Sequence, residues 1–160
     1  MNSATLVEEQ KSTVTPSHIA DSKEHRMGIR LEKLFTKEGV HPYDEITWEK
    51  RVARISNDKG GLLFEQKDIE IPSFWSQMAT DVIASKYFHG KNGTPERENS
   101  LKQLIDRVVN TISVWGKEDG YFGTPEDADI FAAELTHILV NQYASFNSPV
   151  WFNVGVEPKP

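Results

Sequence analysis

Ser148 is the side chain whose surroundings most favour contact with a ligand. It stands between Asn147 and Pro149, and the apolar run Val150-Trp151-Phe152 follows it. A hydroxyl can both donate and accept a hydrogen bond, and a rigid apolar neighbourhood can hold it in a fixed position. A serine before proline is, however, usually a turn or cap residue. We therefore predict that Ser148 binds a ligand, with the turn residue as the alternative interpretation.

Elsewhere the sequence offers little catalytic chemistry. It contains no cysteine, which excludes disulfides, thiolate metal sites and cysteine nucleophiles from this chain. Its 5 histidines are isolated from one another, so no metal site is predicted. The acidic clusters at 65–70 and 126–129 are better explained as solvated charge, and the two glycines of 119–123 lack the spacing of a phosphate-binding loop. No catalytic residue is assigned.

Length and charge exclude several classes of protein. The 160 residues suit one compact domain, and the net charge of −6 comes without a run of lysine or arginine. A DNA- or RNA-binding surface needs a basic stripe, so no nucleic-acid partner is expected, although single phosphates can be held without net positive charge. No stretch approaches the roughly 20 apolar residues of a membrane span, and the N-terminus does not resemble a secretory signal. We expect a cytoplasmic protein with no membrane partner.

The apolar pattern predicts the elements that would position Ser148. Residues 1–27 are polar and aperiodic, which predicts a disordered tail. Apolar residues within 29–35 predict a short helix or anchoring turn that ends at Gly39. Two short apolar runs on either side of Asn57-Asp58-Lys59-Gly60-Gly61 predict a β-hairpin.

Three helices are predicted from apolar residues at i, i+3, i+4 spacing. The first is expected to begin at Ser73 and to stop at Gly90, and the second to follow 94–96 and end at Gly116. The third is expected to begin after Thr124, an N-cap followed by a proline in the first helical position. The predicted fold class is therefore mainly α, with a short β-hairpin.

The final apolar stretch, 146–155, differs from the rest of the chain. Its proline is forbidden in a helix interior, so we predict a strand or a buried loop. Three aromatic residues and two valines in this stretch should not face water alone. The stretch is therefore expected to pack against a partner.

The stretch Phe-Asn-Ser-Pro-Val-Trp-Phe-Asn-Val-Gly (146–155) resembles the segment that leads into the substrate site of adenosylcobalamin-dependent ribonucleotide reductases. Further segments resemble the N-terminal region of that family, in the same order along the chain: 39–49, 64–72, 75–88, 93–98, 103–109, 119–122 and 140–146. The similarity runs from about residue 30 to the end. The order of the segments and the length they cover make the resemblance specific, whereas no single segment would identify the family.

The resemblance implies a mainly helical N-terminal domain at 28–145, and it implies that 146–160 begins the substrate-site segment of a ten-stranded α/β barrel that is absent from this chain. In the family, adenosylcobalamin generates a thiyl radical on a barrel cysteine, which takes the 3′ hydrogen of the ribose, and two further cysteines supply the reducing equivalents. The family position that Ser148 matches hydrogen-bonds the substrate near its ribose and phosphate end. The resemblance thus implies that Ser148 is a substrate-binding residue.

The chain departs from the family by lacking every cysteine and any Asp-x-His-x-x-Gly cobalamin-anchoring motif. We therefore expect a reductase segment, either truncated or separately encoded, that is inactive alone and does not bind adenosylcobalamin by itself. Its expected partners are the ribonucleotide substrate and the remainder of the reductase chain or a complementing subunit. The alternative is a non-catalytic helical binding module that kept the N-terminal fold.

Overall fold

The computed structural model describes residues 28–156, in which a two-stranded antiparallel sheet packs with four α-helices. In chain order the elements are a 3-10 turn (Pro42–Glu45), β1 (Trp48–Ser56), β2 (Leu62–Pro72), α1 (Gln77–Val82), a π-helical turn (Ile83–Tyr87), α2 (Leu101–Glu118), α3 (Pro125–Val140) and α4 (Ser148–Asn153). The predicted tail at 1–27 lies outside the described residues. Within 28–156, no helix is long and apolar enough to cross a membrane.

The prediction of a mainly α fold was wrong, because the structure is mixed α/β with 43% helix and 18% strand. The hairpin exists, but its strands contain 9 and 11 residues and form a substantial sheet. The sequence predicts only a short hairpin for a physical reason. At Asp68 the backbone adopts a φ of 56°, and the register shifts between the pairs Arg51↔Ile69 and Ala53↔Gln66. This bulge interrupts the alternation of apolar and polar residues that marks a strand.

Helix α2 lies at the centre of the core. Ser100 caps its N-terminus, and the side chain of Gln103 completes a capping box. The predicted apolar face is confirmed: Leu104 and Val108 are fully buried. They pack in one cluster with residues of the sheet, α3 and α4, which include Ala53, Ile69, Ile71, Leu139, Val140 and Trp151. Burial of this stripe determines where α2 lies, since apolar burial is the dominant favourable term in folding.

The helix boundaries agree with the sequence prediction in part. Thr124 caps α3 as predicted, and its hydroxyl accepts a hydrogen bond from the N–H of Asp127. The first helix begins at Gln77, and its N-cap is Ser76, three residues later than the predicted N-cap Ser73. Gly116 lies inside α2, which continues to Glu118.

Residues 28–36, which we call the N-terminal strap, pair with the loop before α3 and then with α3 itself. The N–H of Leu31 donates to Oδ1 of Asp127 at 2.7 Å. The N–H groups of Phe35 and Thr36 donate to the carboxylate of Glu134 at 3.0 and 2.9 Å. Two carboxylates of one helix therefore hold the backbone of the strap.

Candidate functional site

Ser148 is the first residue of α4, a six-residue helix that runs to Asn153. The predicted strand or buried loop was therefore wrong for this stretch. Pro149 is tolerated because it stands in the first turn, where a missing N–H removes no helical hydrogen bond. Asn147 occupies the N-cap position in an extended conformation. The sequence Asn-Ser-Pro thus begins a short helix and does not interrupt one.

The hydroxyl of Ser148 is half-buried and lies 3.0 Å from the phenolic oxygen of Tyr87. Tyr87 ends the π-helical turn that follows α1. Its ring also stacks on Phe152, with ring centroids 5.2 Å apart and planes inclined by 23°. Tyr87 therefore contacts α4 at two points, through its oxygen near the start of the helix and through its ring near the end.

Arg107 anchors the other end of α4. Its Nη1 donates to the carbonyl oxygens of Trp151 at 3.2 Å and Val154 at 2.7 Å. Its Nε donates to Oε1 of Glu98 at 2.8 Å, and each of the two charged side chains is only 10% exposed. The last carbonyls of a helix have no partner inside the helix, so the guanidinium supplies one. Arg107 thereby ties α4 to the central helix α2 and to a buried carboxylate.

A second arginine fixes the turn that ends in Tyr87. The Nη1 of Arg97 donates to the carbonyl oxygens of Phe88 at 2.6 Å and Gly90 at 2.8 Å, and its Nη2 donates to the carbonyl of Ala84. Burial lowers the pKa of Arg97, while the neighbouring carboxylate of Glu98 opposes this shift. Three carbonyl groups in and beside the π-helical turn are satisfied by this one side chain, which fixes the backbone next to Tyr87.

A cavity of about 340 Å³ adjoins this arrangement. Its walls come from α1, α2, the end of α3 and α4, and they are mostly apolar: Trp75, Ala79, Val82, Ile83, Leu101, Leu104, Ile105, Leu139, Ala144 and Trp151. Tyr87, Gln142 and Ser145 add polar groups, and Gln142 adopts a left-handed backbone with a φ of 60°. An apolar pocket with a few polar groups is the usual form of a small-molecule site. Tyr87 lines the cavity and also hydrogen-bonds Ser148, so Ser148 lies next to the cavity.

The sequence prediction names Ser148 as a candidate but names none of the residues around it as one. Nothing in the sequence marks Glu98 or Arg107 as part of a site, because Arg107 pairs with residues that are distant in the chain. Glu98 is 9 residues away from it and Trp151 is 44 residues away. Among residues 28–156, no group of three His, Cys, Asp or Glu side chains is arranged to hold a metal ion.

Comparison with known proteins identifies relatives over most of this chain. The model of a family described as class II vitamin B12-dependent ribonucleotide reductase matches residues 49–142. Proteins named vitamin B12-dependent ribonucleotide reductase are similar in Streptomyces coelicolor (52% identity over 134 residues) and Rhodopirellula baltica (50% over 133 residues). A third, from Agrobacterium fabrum, is 35% identical over 162 residues. These alignments cover 80–83% of this chain but only 13–14% of the relatives.

Proposed function

The chain belongs to the class II vitamin B12-dependent ribonucleotide reductase family, and from this premise we propose that it forms the N-terminal part of an enzyme that reduces ribonucleotides to deoxyribonucleotides. The observation that carries the proposal for the site is the fixed hydroxyl of Ser148, which is paired with Tyr87 beside an apolar cavity. The chain spans about 14% of the length of its relatives, so the activity belongs to a larger assembly.

The reaction that we propose runs through a thiyl radical, and this chain contributes no cysteine to it. The radical-bearing cysteine and the reducing cysteines must therefore come from the remainder of the reductase chain or from a complementing subunit. The contribution of this chain is to bind and orient the substrate. Arg107 donates to the carbonyl oxygens of Trp151 and Val154, and these bonds hold the helix that carries the hydroxyl of Ser148.

Three cavities among the described residues are too small for adenosylcobalamin. They measure about 340, 510 and 380 Å³, a size suited to a small ligand, whereas a corrin ring with its nucleotide tail and adenosyl group is much larger. We propose that the remainder of the enzyme binds this cofactor, and no step assigned to this chain passes through it.

Ser148 is the proposed substrate-binding residue, and replacing it tests the site. In the complete reductase, Ser148→Ala should lower kcat/KM by about 5–30-fold, which corresponds to the roughly 1–2 kcal/mol of one hydrogen bond in a partly buried site. Ser73→Ala, which truncates an exposed serine, is the matched control and should leave kcat/KM unchanged. Wild-type kinetics of Ser148→Ala would show that Ser148 does not bind the substrate.

Mixing experiments test whether this chain needs the remainder of the reductase for activity. The isolated chain, supplied with adenosylcobalamin and a dithiol, should reduce no ribonucleotide, because it cannot form a thiyl radical. Adding the remainder of the reductase should restore turnover. Turnover by the isolated chain above the background of the cofactor alone would contradict the mechanism. Nucleotide binding by the isolated chain without any activity of the mixture would favour a non-catalytic binding module.

A further inference from the structure

We propose that Tyr87 is a positioning residue that orients the hydroxyl of Ser148 as a hydrogen-bond donor towards the substrate. The inference rests on the proposed role of Ser148 in substrate binding. It starts from the 3.0 Å contact between the two hydroxyl oxygens, in which either oxygen can donate. Which of the two donates decides what Ser148 can offer to a ligand.

The relative acidity of the two groups decides the direction of this hydrogen bond. A phenol O–H is more acidic than the aliphatic alcohol O–H of serine and is therefore the better donor. When Tyr87 donates to Oγ of Ser148, the proton of Ser148 is left free for a third group. Accepting this hydrogen bond also polarises the serine O–H, because hydrogen bonds in a chain strengthen one another.

The third group must then be an acceptor. Phosphate and ribose oxygens of a nucleotide are acceptors, and an anionic phosphate oxygen gains most from a polarised donor. If Ser148 donated to Tyr87 instead, it would present only lone pairs and would repel an anion. The pairing with Tyr87 thus makes Ser148 selective for acceptor atoms on the substrate.

The structure holds the phenol where this role requires it. The ring of Tyr87 stacks on Phe152, and the backbone carbonyl of Tyr87 accepts a hydrogen bond from Nη2 of Arg107 at 3.5 Å. Arg97 donates to carbonyl groups of the turn that carries Tyr87. The position of the phenolic oxygen is therefore set by contacts that do not involve the hydroxyl itself. Removing that hydroxyl alone should leave the ring in place.

A double-mutant cycle in the complete reductase tests the proposal. Tyr87→Phe keeps the ring and removes the donor, and we expect KM to rise about 3–10-fold with little change in kcat. In a Ser148→Ala background, the same Tyr87→Phe change should have almost no effect, because the group that it orients is gone. Tyr143→Phe, which removes the hydroxyl of an exposed tyrosine, is the matched control and should be silent in both backgrounds.

The conservative variant Ser148→Thr adds a rescue test. It keeps a hydroxyl at this position, so the effect of Tyr87→Phe on KM should return in that background. A purely structural Tyr87 would lower the melting temperature and would not distinguish Ala from Thr at position 148.

Each outcome separates the two proposals. Additive effects of Tyr87→Phe and Ser148→Ala would overturn the role of Tyr87 and leave Ser148 as a substrate contact. A silent Tyr87→Phe beside an active Ser148→Ala would do the same. A silent Ser148→Ala would instead overturn the proposed site itself, and the role of Tyr87 would fall with it.

Discussion

Helices α2 and α4 are held in place by different kinds of contact. Helix α2 buries a continuous apolar stripe, and Leu104 and Val108 on that stripe have no exposed surface. Helix α4 has only six residues and one buried side chain, Trp151. Its other attachments include hydrogen bonds, from Arg107 at its C-terminal end and between Tyr87 and its first residue, and the stacking of Phe152 on Tyr87.

The N-terminal strap follows the second pattern. Its backbone N–H groups are bound by the carboxylates of Asp127 and Glu134, and Leu34 and Phe35 remain exposed. Apolar burial spreads the stabilisation of α2 over many atoms, whereas α4 and the strap bury little apolar surface and take several of their hydrogen bonds from charged side chains. Single substitutions should therefore unfold the whole molecule in the first case and release one segment in the second.

The largest effect should come from breaking the apolar stripe. Leu104→Asp places a carboxyl group among buried aliphatic side chains and also removes the packing of a leucine, so we expect a loss of about 4 kcal/mol or more and no cooperative unfolding transition. Thermal and urea unfolding would measure it. Val114→Asp introduces the same group at a half-exposed position of the same helix and should remain folded. A folded Leu104→Asp variant would contradict the buried face.

Breaking the anchor of α4 should have a smaller and more local effect. Arg107→Met leaves Glu98 buried without its cation, for which we expect a loss of about 3 kcal/mol. Amide hydrogen exchange should show that α4 loses protection while α2 keeps most of it. Lys117→Met removes a cation of the same helix whose ion pair with Asp129 is exposed, and it should cost less than about 1 kcal/mol. Unchanged protection of α4 in Arg107→Met would refute its role as an anchor.

The strap should respond to pH. Hydrogen bonds from the hydroxyl of Thr124 and the N–H of Leu31 hold the pKa of Asp127 below its ordinary value. A lowered pKa in the folded state stabilises the protein above about pH 3.9, and the contribution is lost as the pH falls through the folded pKa. The strap should therefore exchange its amides faster in acid than at pH 7.

Substitution of Asp127 checks that interpretation. Asp127→Asn should speed exchange in the strap already at neutral pH and should reduce its further increase in acid, because the titrating group is gone. Asp129→Asn changes an exposed carboxylate of the same helix and should leave the strap protected at neutral pH. Equal acid dependence in wild type and Asp127→Asn would show that Asp127 does not control the strap.

The difference between local apolar pattern and contacts that are distant in the chain explains how much of the fold could be predicted from the sequence. The apolar face of α2 and the cap at Thr124 depend on residues close together in the chain, and both predictions were confirmed. The length of β2 was missed because the bulge at Asp68 shifts the alternation, and this error led to the wrong fold class. Local pattern predicts helices well, but a bulge depends on pairing with another strand.

For the site, the sequence indicated a residue but not its environment. Ser148 stood out because its neighbours are unusual, whereas Tyr87 lies 61 residues before it and Arg107 binds carbonyl groups 44 and 47 residues away. Such contacts follow from the packing of whole elements, and they leave no periodic pattern in a single sequence. The helical start at Ser148 was missed because its proline was judged as an interior residue.

The smallest effect on stability should come from Ser148 itself. Ser148→Ala removes one half-buried hydrogen bond, that to Tyr87, and we expect a loss of less than about 1 kcal/mol in urea unfolding of this chain. Alanine is compatible with the start of α4, and Pro149 keeps its place in the first turn. Trp151→Ala, in the same helix, empties a buried site and should cost about 3–5 kcal/mol.

This contrast separates a binding residue from a structural one within a single helix. A hydroxyl that serves the substrate contributes little to the folded state alone, so its loss should appear in kcat/KM of the complete reductase and hardly at all in stability. A turn residue has the opposite profile, since its hydrogen bond exists to shape the backbone. If Ser148→Ala destabilises the chain as much as Trp151→Ala while kcat/KM stays at the wild-type value, the hydroxyl is structural, and the interpretation of Ser148 as a turn residue is correct.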